Sequence, residues 1–220
     1  METRLFFSVR LKNFQSAFLL ALTFSFDPFP VLSSGDLLLR RCTPADVPAL
    51  FAMRSDPAVM QYVARPLCQS EEDAVRIFQM MEGKIEQNTG INWAVSSVDT
   101  PALFYGVIGI FRLDADNHRG ELGYMLQKMY WGRGIISQLI PLVMDYGFEV
   151  LRLHTMEAVI DPHNHASRRV LEKNGFKQEA YFHENCYFEG RFLDSVVLSA
   201  RQRTSTHASS QKPDNIIHPI

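Results

Sequence analysis

The stretch "GELGYMLQKMYWGRGIISQLIPLV", residues 120–143, constrains the fold of this chain more than any other. It begins as a strand, passes through a loop with two glycines around an arginine, and ends as a helix. Ile136, Ile140, Val143 and Gly147 fall on one helical stripe, with Leu139, Met144 and Phe148 beside it, so the helix is expected to pack on a sheet. A helix start carries unpaired N–H groups and about half a positive charge, which suits an anion such as phosphate. Gly132 and Gly134 let the backbone approach such a group, and Arg133 adds a mobile positive charge. A tight turn before a buried helix has the same residues, so the motif alone leaves both readings open. Neither GxxxxGK[ST] nor GxGxxG occurs, which argues against a nucleoside triphosphate or a dinucleotide.

The flanking segments supply the rest of an α/β (α+β) domain. "DLLLRRC" reads as a strand and "TPADVPALFAMRSDPAVMQYV" as one helix, with Thr43 as cap and Pro44 in its first turn. "SEEDAVRIFQMMEGKIEQN" starts at Ser70 and places Ala74, Ile77, Phe78 and Met81 on one face. "INWAVSSV" and "FYGVIGIFRL" are strands, the second joined to "GELGYML" by the turn "DADNH". "HTMEAVI" is a strand and "NHASRRVLEKNG" a short helix. "FKQEAYFHENCYF" and "FLDSVVLSA" are the last two strands. The domain is expected over residues 29–201, after an N-terminal extension of uncertain structure, 1–28, and before a disordered tail, 202–220.

Charge and cysteine usage remove several classes. A net charge of −2 offers no basic field to nucleic acid or anionic lipid. Three cysteines without a CxxC spacing fit a reducing compartment better than a disulfide framework or a zinc site, so the expected location is cytoplasmic. Arg4, Arg10 and Lys12 precede the apolar "FQSAFLLALTFSF", which resembles a signal peptide but is too short for a transmembrane helix and lacks a small-x-small site. No stable membrane insertion is expected.

A second motif, "DPHNHASRRVLEKNGF" at 161–176, lies downstream and is followed by "FEGRFLDSVVLSA". With "YWGRG", the "ELGYML" strand, the leading "FPVL…LLLRRCTPAD", the N-x-x-S of Asn164 and Ser167, and the G-R-x-x-D near the end, the chain resembles the GNAT superfamily of acyl-CoA-dependent N-acetyltransferases. Within it, the resemblance is closest to the branch that acetylates ribosomal-protein alanine N-termini. It runs from about Phe29 to Arg201.

The resemblance implies a single-domain mixed sheet that splays between the "ELGYML" and "HTMEAVI" strands, flanked by helices, with acetyl-CoA in the gap. Pantetheine would pair with exposed backbone at Met125 and Leu126. The pyrophosphate would rest on N–H groups of Gly132, Arg133, Gly134, Ile135, Ile136 and Ser137, with Trp131 as a wall. Asn164 would touch the pantetheine or position the thioester, and Ser167 would sit near the sulfur. The implied reaction is attack by a primary amine, most directly a protein N-terminal α-amine. The alternatives are an aminoglycoside or polyamine acceptor, or a catalytically silent acyl-CoA-binding regulator. No metal is expected, His163, His165 and Asp161 being read as loop polar groups. The molecule is expected as a monomer or homodimer.

Attack needs a neutral amine, a polarised carbonyl and a protonated leaving thiolate. Glu121 is the expected base, with Glu184 the weaker choice, and Ser167 the expected acid. Two residues depart from the superfamily pattern. Leu171 stands where many members have a tyrosine acid, and Ile136 stands where glycine or alanine is usual, so a β-branched side chain could crowd the cofactor. Asp194 is expected to orient Arg191 or hold the last hairpin, and Tyr187, a further candidate acid, to form part of a pocket wall instead.

Overall fold

The computed structural model describes residues 22–202 and the backbone of Ile216–Ile217. Its strands are β1 (Val31–Ser34), β2 (Leu37–Arg40), β3 (Ile91–Ser97), β4 (Gly106–Asp114), β5 (Arg119–Leu126), β6 (Thr155–Ile160), β7 (Lys177–Phe188), β8 (Arg191–Arg201) and β9 (Ile216–Ile217). They form one sheet in the order β7-β8-β6-β5-β4-β3-β2-β1-β9. Among the described pairs only β5 with β6 is parallel. The helices are α1 (Val47–Ser55), α2 (Pro57–Met60), α3 (Glu71–Glu86), α4 (Ile135–Asp145) and α5 (His165–Lys173).

Strand periodicity sorts the core into two layers. On one face Ile91, Trp93, Val95, Ile108, Ile110 and Leu122 meet Leu139, Ile140 and Val143 of α4 and Leu171 of α5. On the other, Ala94 and Val107 meet Val47, Leu50 and Met53 of α1 and Ala74 and Met81 of α3. The stripe expected on α4 is therefore the one that is buried. It extends into a π-helical turn, Tyr146–Val150, where a Cβ on Gly147 would lie 2.7 Å from the Met156 sulfur.

Two boundaries differ from expectation. The helix expected from Thr43 onward is broken at Asp56, which is extended (φ −78°, ψ 114°) because Pro57 disfavours the helical region for the residue before it. The Asp56 carboxylate then caps α2 by accepting from the Ala58 N–H at 2.8 Å. The packed domain also begins before residue 29: Phe24 and Phe26 are buried in the α4-side core, and the Trp93 indole donates to Pro30 O at 2.8 Å. The apolar run before Leu22 lies outside the described residues, as does most of the tail. Where the tail is described, Ile216–Ile217 pair with β1, so the expected lack of structure does not hold there. Among the described residues no helix is long and apolar enough to cross a membrane.

Among the described residues one ion pair is largely buried, that of Arg40 with Asp46. Arg40 Nη2 and Nη1 donate to the two Asp46 oxygens at 2.7 and 2.8 Å, and the Thr43 N–H donates to the same carboxylate at 2.8 Å. Burial alone would raise the Asp46 pKa, but the bonds from Arg40 and Thr43 outweigh it and hold the group below its ordinary 3.8. A carboxylate with a depressed folded pKa stabilises the fold above its unfolded pKa and loses that contribution as pH falls through the folded value. Asp46→Asn should therefore destabilise the protein by about 3 kcal/mol at neutral pH, since it leaves a half-buried guanidinium without its counter-charge. In urea melts the variant should also lose part of the wild-type fall in stability below pH 4, and equal acid slopes would refute this account.

Candidate active site

β5 and β6 are paired over three residues only, Arg119–Glu121 beside Thr155–Glu157. Beyond Glu121 each strand keeps its outer partner, β5 on β4 as far as Leu126 and β6 on β8 as far as Ile160. The sheet opens between them.

Hydrogen-bond parity shows which main-chain groups face that opening. His118 O accepts from the N–H groups of His154 and Thr155 at 2.6 and 3.2 Å, on the β6 side. The Gln127 N–H donates to Tyr105 O at 2.9 Å, on the β4 side. Because backbone groups alternate sides along a strand, even-numbered β5 residues point toward β6 and odd-numbered ones toward β4. Met125, opposite Val107, has its main chain committed to β4, contrary to expectation. Tyr124 and Leu126 present theirs to the gap. Leu126 O is already met by the Trp131 indole N–H at 2.9 Å.

A cleft of about 430 Å³ fills this space. Of the expected cofactor residues, Met125, Leu126, Trp131, Gly132, Gly134, Ile135, Ile136, Ser137, Asn164 and Ser167 line it, whereas Arg133 does not. Arg133 is exposed, its guanidinium 5.5 Å above the Tyr130 ring, which itself stacks on Tyr105 at 4.2 Å. Ile136 both lines the cleft and packs against the α4-side core, so its branched side chain has a place in the fold.

The loop is built for close approach. Lys128–Tyr130 make one 3₁₀ turn, and then Gly132 and Gly134 take φ of +72° and +75°. A Cβ at either would meet nothing within 4 Å, so the left-handed backbone requires glycine there, not crowding. Among the described residues the N–H groups from Gly132 to Ser137 have no hydrogen-bond partner, and the first helical bond of α4 runs from the Gln138 N–H to Gly134 O at 3.1 Å. Apart from Arg133, the residues that carry these donors line one wall of the cleft.

The other wall comes from α5. Asn164 is its cap, Oδ1 accepting from the Ser167 N–H at 3.0 Å. Ser167 Oγ is thereby spared from capping and lies 2.7 Å from the Tyr124 hydroxyl. Burial pushes the Tyr124 phenol up to about 12, against the opposing pull of that hydrogen bond. Leu171 is fully buried in the core and offers no proton.

Glu121 is not brought to the cleft. Its carboxylate is bound by Arg112 Nη1 at 2.7 Å, and Arg112 reaches it from a bulge in β4 at a φ of +46°. Glu184 is also elsewhere, its N–H donating to Asp194 Oδ1 at 2.8 Å. Asp194 accepts from the Tyr181 hydroxyl at 2.5 Å as well and so ties the β7–β8 hairpin together, as expected. Tyr187 packs on Phe192 with centroids 5.0 Å apart and is not part of the cleft wall. His163 Nδ1 lies 3.0 Å from Asp161 Oδ1 within its own loop.

Sequence reasoning missed Tyr124 and the wall formed by Ala58, Val59, Gln61, Tyr62 and Val63. The strand parity of "ELGYML" held a signal for Tyr124, since Leu126 was already expected in the gap and Tyr124 lies two residues before it. Nothing in "AVMQYV" distinguishes a cleft wall from a core helix.

Comparison with known proteins agrees with this geometry. The acetyltransferase (GNAT) domain family matches residues 36–177. The uncharacterized N-acetyltransferase YoaA of Bacillus subtilis is 34% identical over 171 residues, 78% of this chain and 96% of that protein. Among solved structures, RimL, the ribosomal L7/L12 α-N-protein acetyltransferase in complex with coenzyme A, superposes with a TM-score of 0.69 at 21% identity, covering 78% of this chain and 97% of its own. Spermidine N-acetyltransferase from Vibrio cholerae, in complex with CoA and spermine, superposes with a TM-score of 0.68 at 20% identity, over 77% and 97% of the two chains. A splayed sheet, a glycine loop before α4 and a family match over well more than half the sequence all agree: the chain belongs to the GNAT acetyltransferase family.

Proposed function

We propose that this acetyltransferase transfers the acetyl group of acetyl-CoA to an α-amine, with the N-terminus of a protein as acceptor. One observation carries the choice of acceptor: among the described residues, none of the nineteen that line the cleft is Asp, Glu, Lys, Arg or His. A polyamine or aminoglycoside enters with several positive charges, and a cleft without carboxylates would desolvate them uncompensated. A single α-amine, pKa about 7.7–8.0, can enter neutral. At pH 7.5 about a third of such amines are free base, against roughly 0.1% of lysine amines at pKa about 10.4.

The residues present suit acetyl-CoA. The unpartnered N–H groups from Gly132 to Ser137 at the start of α4 would hold the pyrophosphate, and open space above Gly132 and Gly134 leaves room for it. The main chain of Tyr124 and the Leu126 N–H would pair with the pantetheine amides, and Asn164 would offer its free Nδ2. When bound, acetyl-CoA supplies an activated thioester. Ser167 would face its sulfur and serve the leaving thiolate. With no carboxylate in the lining, water would accept the amine proton, and Glu121 would act by fixing the β4 bulge through Arg112. Three free thiols fit a reducing, cytoplasmic location.

Two outcomes test this reading. Gly134→Val imposes about 1–2 kcal/mol of left-handed strain on the loop, so CoA affinity measured by calorimetry should fall about tenfold or more. Unchanged affinity would remove the loop from the binding site. With a peptide acceptor, kcat/KM should rise about tenfold per pH unit and level off near pH 8, following the acceptor's own amine. Glu121→Gln should leave that profile in place and the rate within about threefold, whereas loss of activity would restore Glu121 as the base.

A further inference from the structure

We propose that Tyr124 is a positioning residue for acyl transfer: its hydroxyl donates to Ser167 Oγ, 2.7 Å away, and so leaves the Ser167 hydrogen free to point at the departing sulfur. The inference rests on the acetyl-CoA reading above.

Either hydroxyl could donate in that contact. The phenol is taken as the donor because it is intrinsically the more acidic of the two hydroxyls. Ser167 Oγ is its one hydrogen-bond partner among the described residues. Burial, which pushes the phenol up to about 12, keeps its hydrogen in place. The serine is prepared for the complementary role. Its N–H is held by the Asn164 side chain at 3.0 Å, which fixes the first turn of α5 without using the serine hydroxyl. Both Tyr124 and Ser167 line the cleft, on opposite sides of the gap between β5 and α5.

Neither hydroxyl ionises. A phenol near 12 is a weaker acid than a thiol at about 8.5, and a serine hydroxyl is weaker again, so neither hands a proton permanently to a thiolate. In the transfer a C–N bond forms, the C–S bond breaks, and its electron pair leaves on sulfur. The amine nitrogen releases one proton to water and sulfur takes one from water. Through that exchange Ser167 holds the charge developing on sulfur by a hydrogen bond, in an orientation set by Tyr124.

The test measures thiol release from acetyl-CoA with an N-terminal peptide acceptor, for wild type, Tyr124→Phe, Ser167→Ala, Ser167→Thr and the double variant Y124F/S167A. Ser167→Ala should lower kcat about 100-fold, and Tyr124→Phe about 10-fold, with the KM for acetyl-CoA unchanged within about twofold. The double variant should be no slower than Ser167→Ala alone, because Tyr124 acts only through that hydroxyl. Ser167→Thr, which keeps a hydroxyl, should recover most of the rate and carries the proposal should Tyr124→Phe prove unstable. Independent, multiplying losses, or a Tyr124→Phe kcat equal to wild type, would overturn the positioning role while leaving the acetyltransferase reading intact. Wild type that releases no thiol with any peptide would overturn that reading itself.

Discussion

Everything at the site depends on β5 and β6 parting after three residue pairs. Had the parallel ladder continued, Tyr124 and Leu126 would have spent their main-chain groups on β6, and α5 would have been pressed against a closed sheet. The opening leaves backbone donors and acceptors without strand partners in a part-buried cleft, and an unmet buried group costs about 1–3 kcal/mol. The fold meets part of that cost locally. The Trp131 indole covers Leu126 O, and the hydroxyls of Tyr124 and Ser167 share one hydrogen bond across the gap. What remains unmet among the described residues is the row of N–H groups at the start of α4, together with part of β5, groups that the proposed diphosphate and amides would meet.

The parts of this architecture that were legible in the sequence are those governed by local rules. The strand–loop–helix at 120–143 could be read because positive-φ glycines, helix starts and apolar stripes leave marks within a few residues. Asn164 as the cap of α5 and Ser70 as the start of α3 belong to the same class. What could not be read depends on partners distant in sequence. Met125 was expected in the gap, with Leu126, from the resemblance, but whether an odd or even residue faces β6 is decided by the register with Val107, eighteen positions upstream. Glu121 carried a plausible role until Arg112, on the facing strand, claimed its carboxylate. The break at Asp56 is local and was legible through Pro57, since a proline disfavours the helical region for the residue before it.

The distribution of charge follows from the same opening. Ion pairs lie around the cleft and not in it: Arg40 with Asp46 beside α1, Arg112 with Glu121 on the bulge, Arg119 with Glu157 where β5 and β6 are still paired. The last two clamp strands that border the gap, whereas the first ties β2 to the turn before α1. A cleft lined only by apolar and neutral polar side chains is inexpensive to desolvate while empty of charge, and it concentrates the effect of backbone dipoles on a bound anion. Among the described residues the lining offers no carboxylate or histidine as a base, which would suit the proposed acceptor, whose own pKa lies near neutrality.

Leu171 and the Tyr124–Ser167 pair express one structural choice. A tyrosine at position 171 would have to reach the cleft from a side of α5 that is here fully buried against the sheet. The chain commits that position to packing, where α5 gains a core anchor, and places its hydroxyls instead on β5 and in the first turn of α5. Those two positions are the better-determined ones. Tyr124 is fixed by the ladder to β4, and Ser167 by the Asn164 cap, so the distance between the hydroxyls is set by the sheet and by a helix terminus and not by a long side chain leaning from mid-helix. Under the proposed role such a pair would need little rearrangement when ligand enters, and pre-set dipoles stabilise developing charge without reorganising.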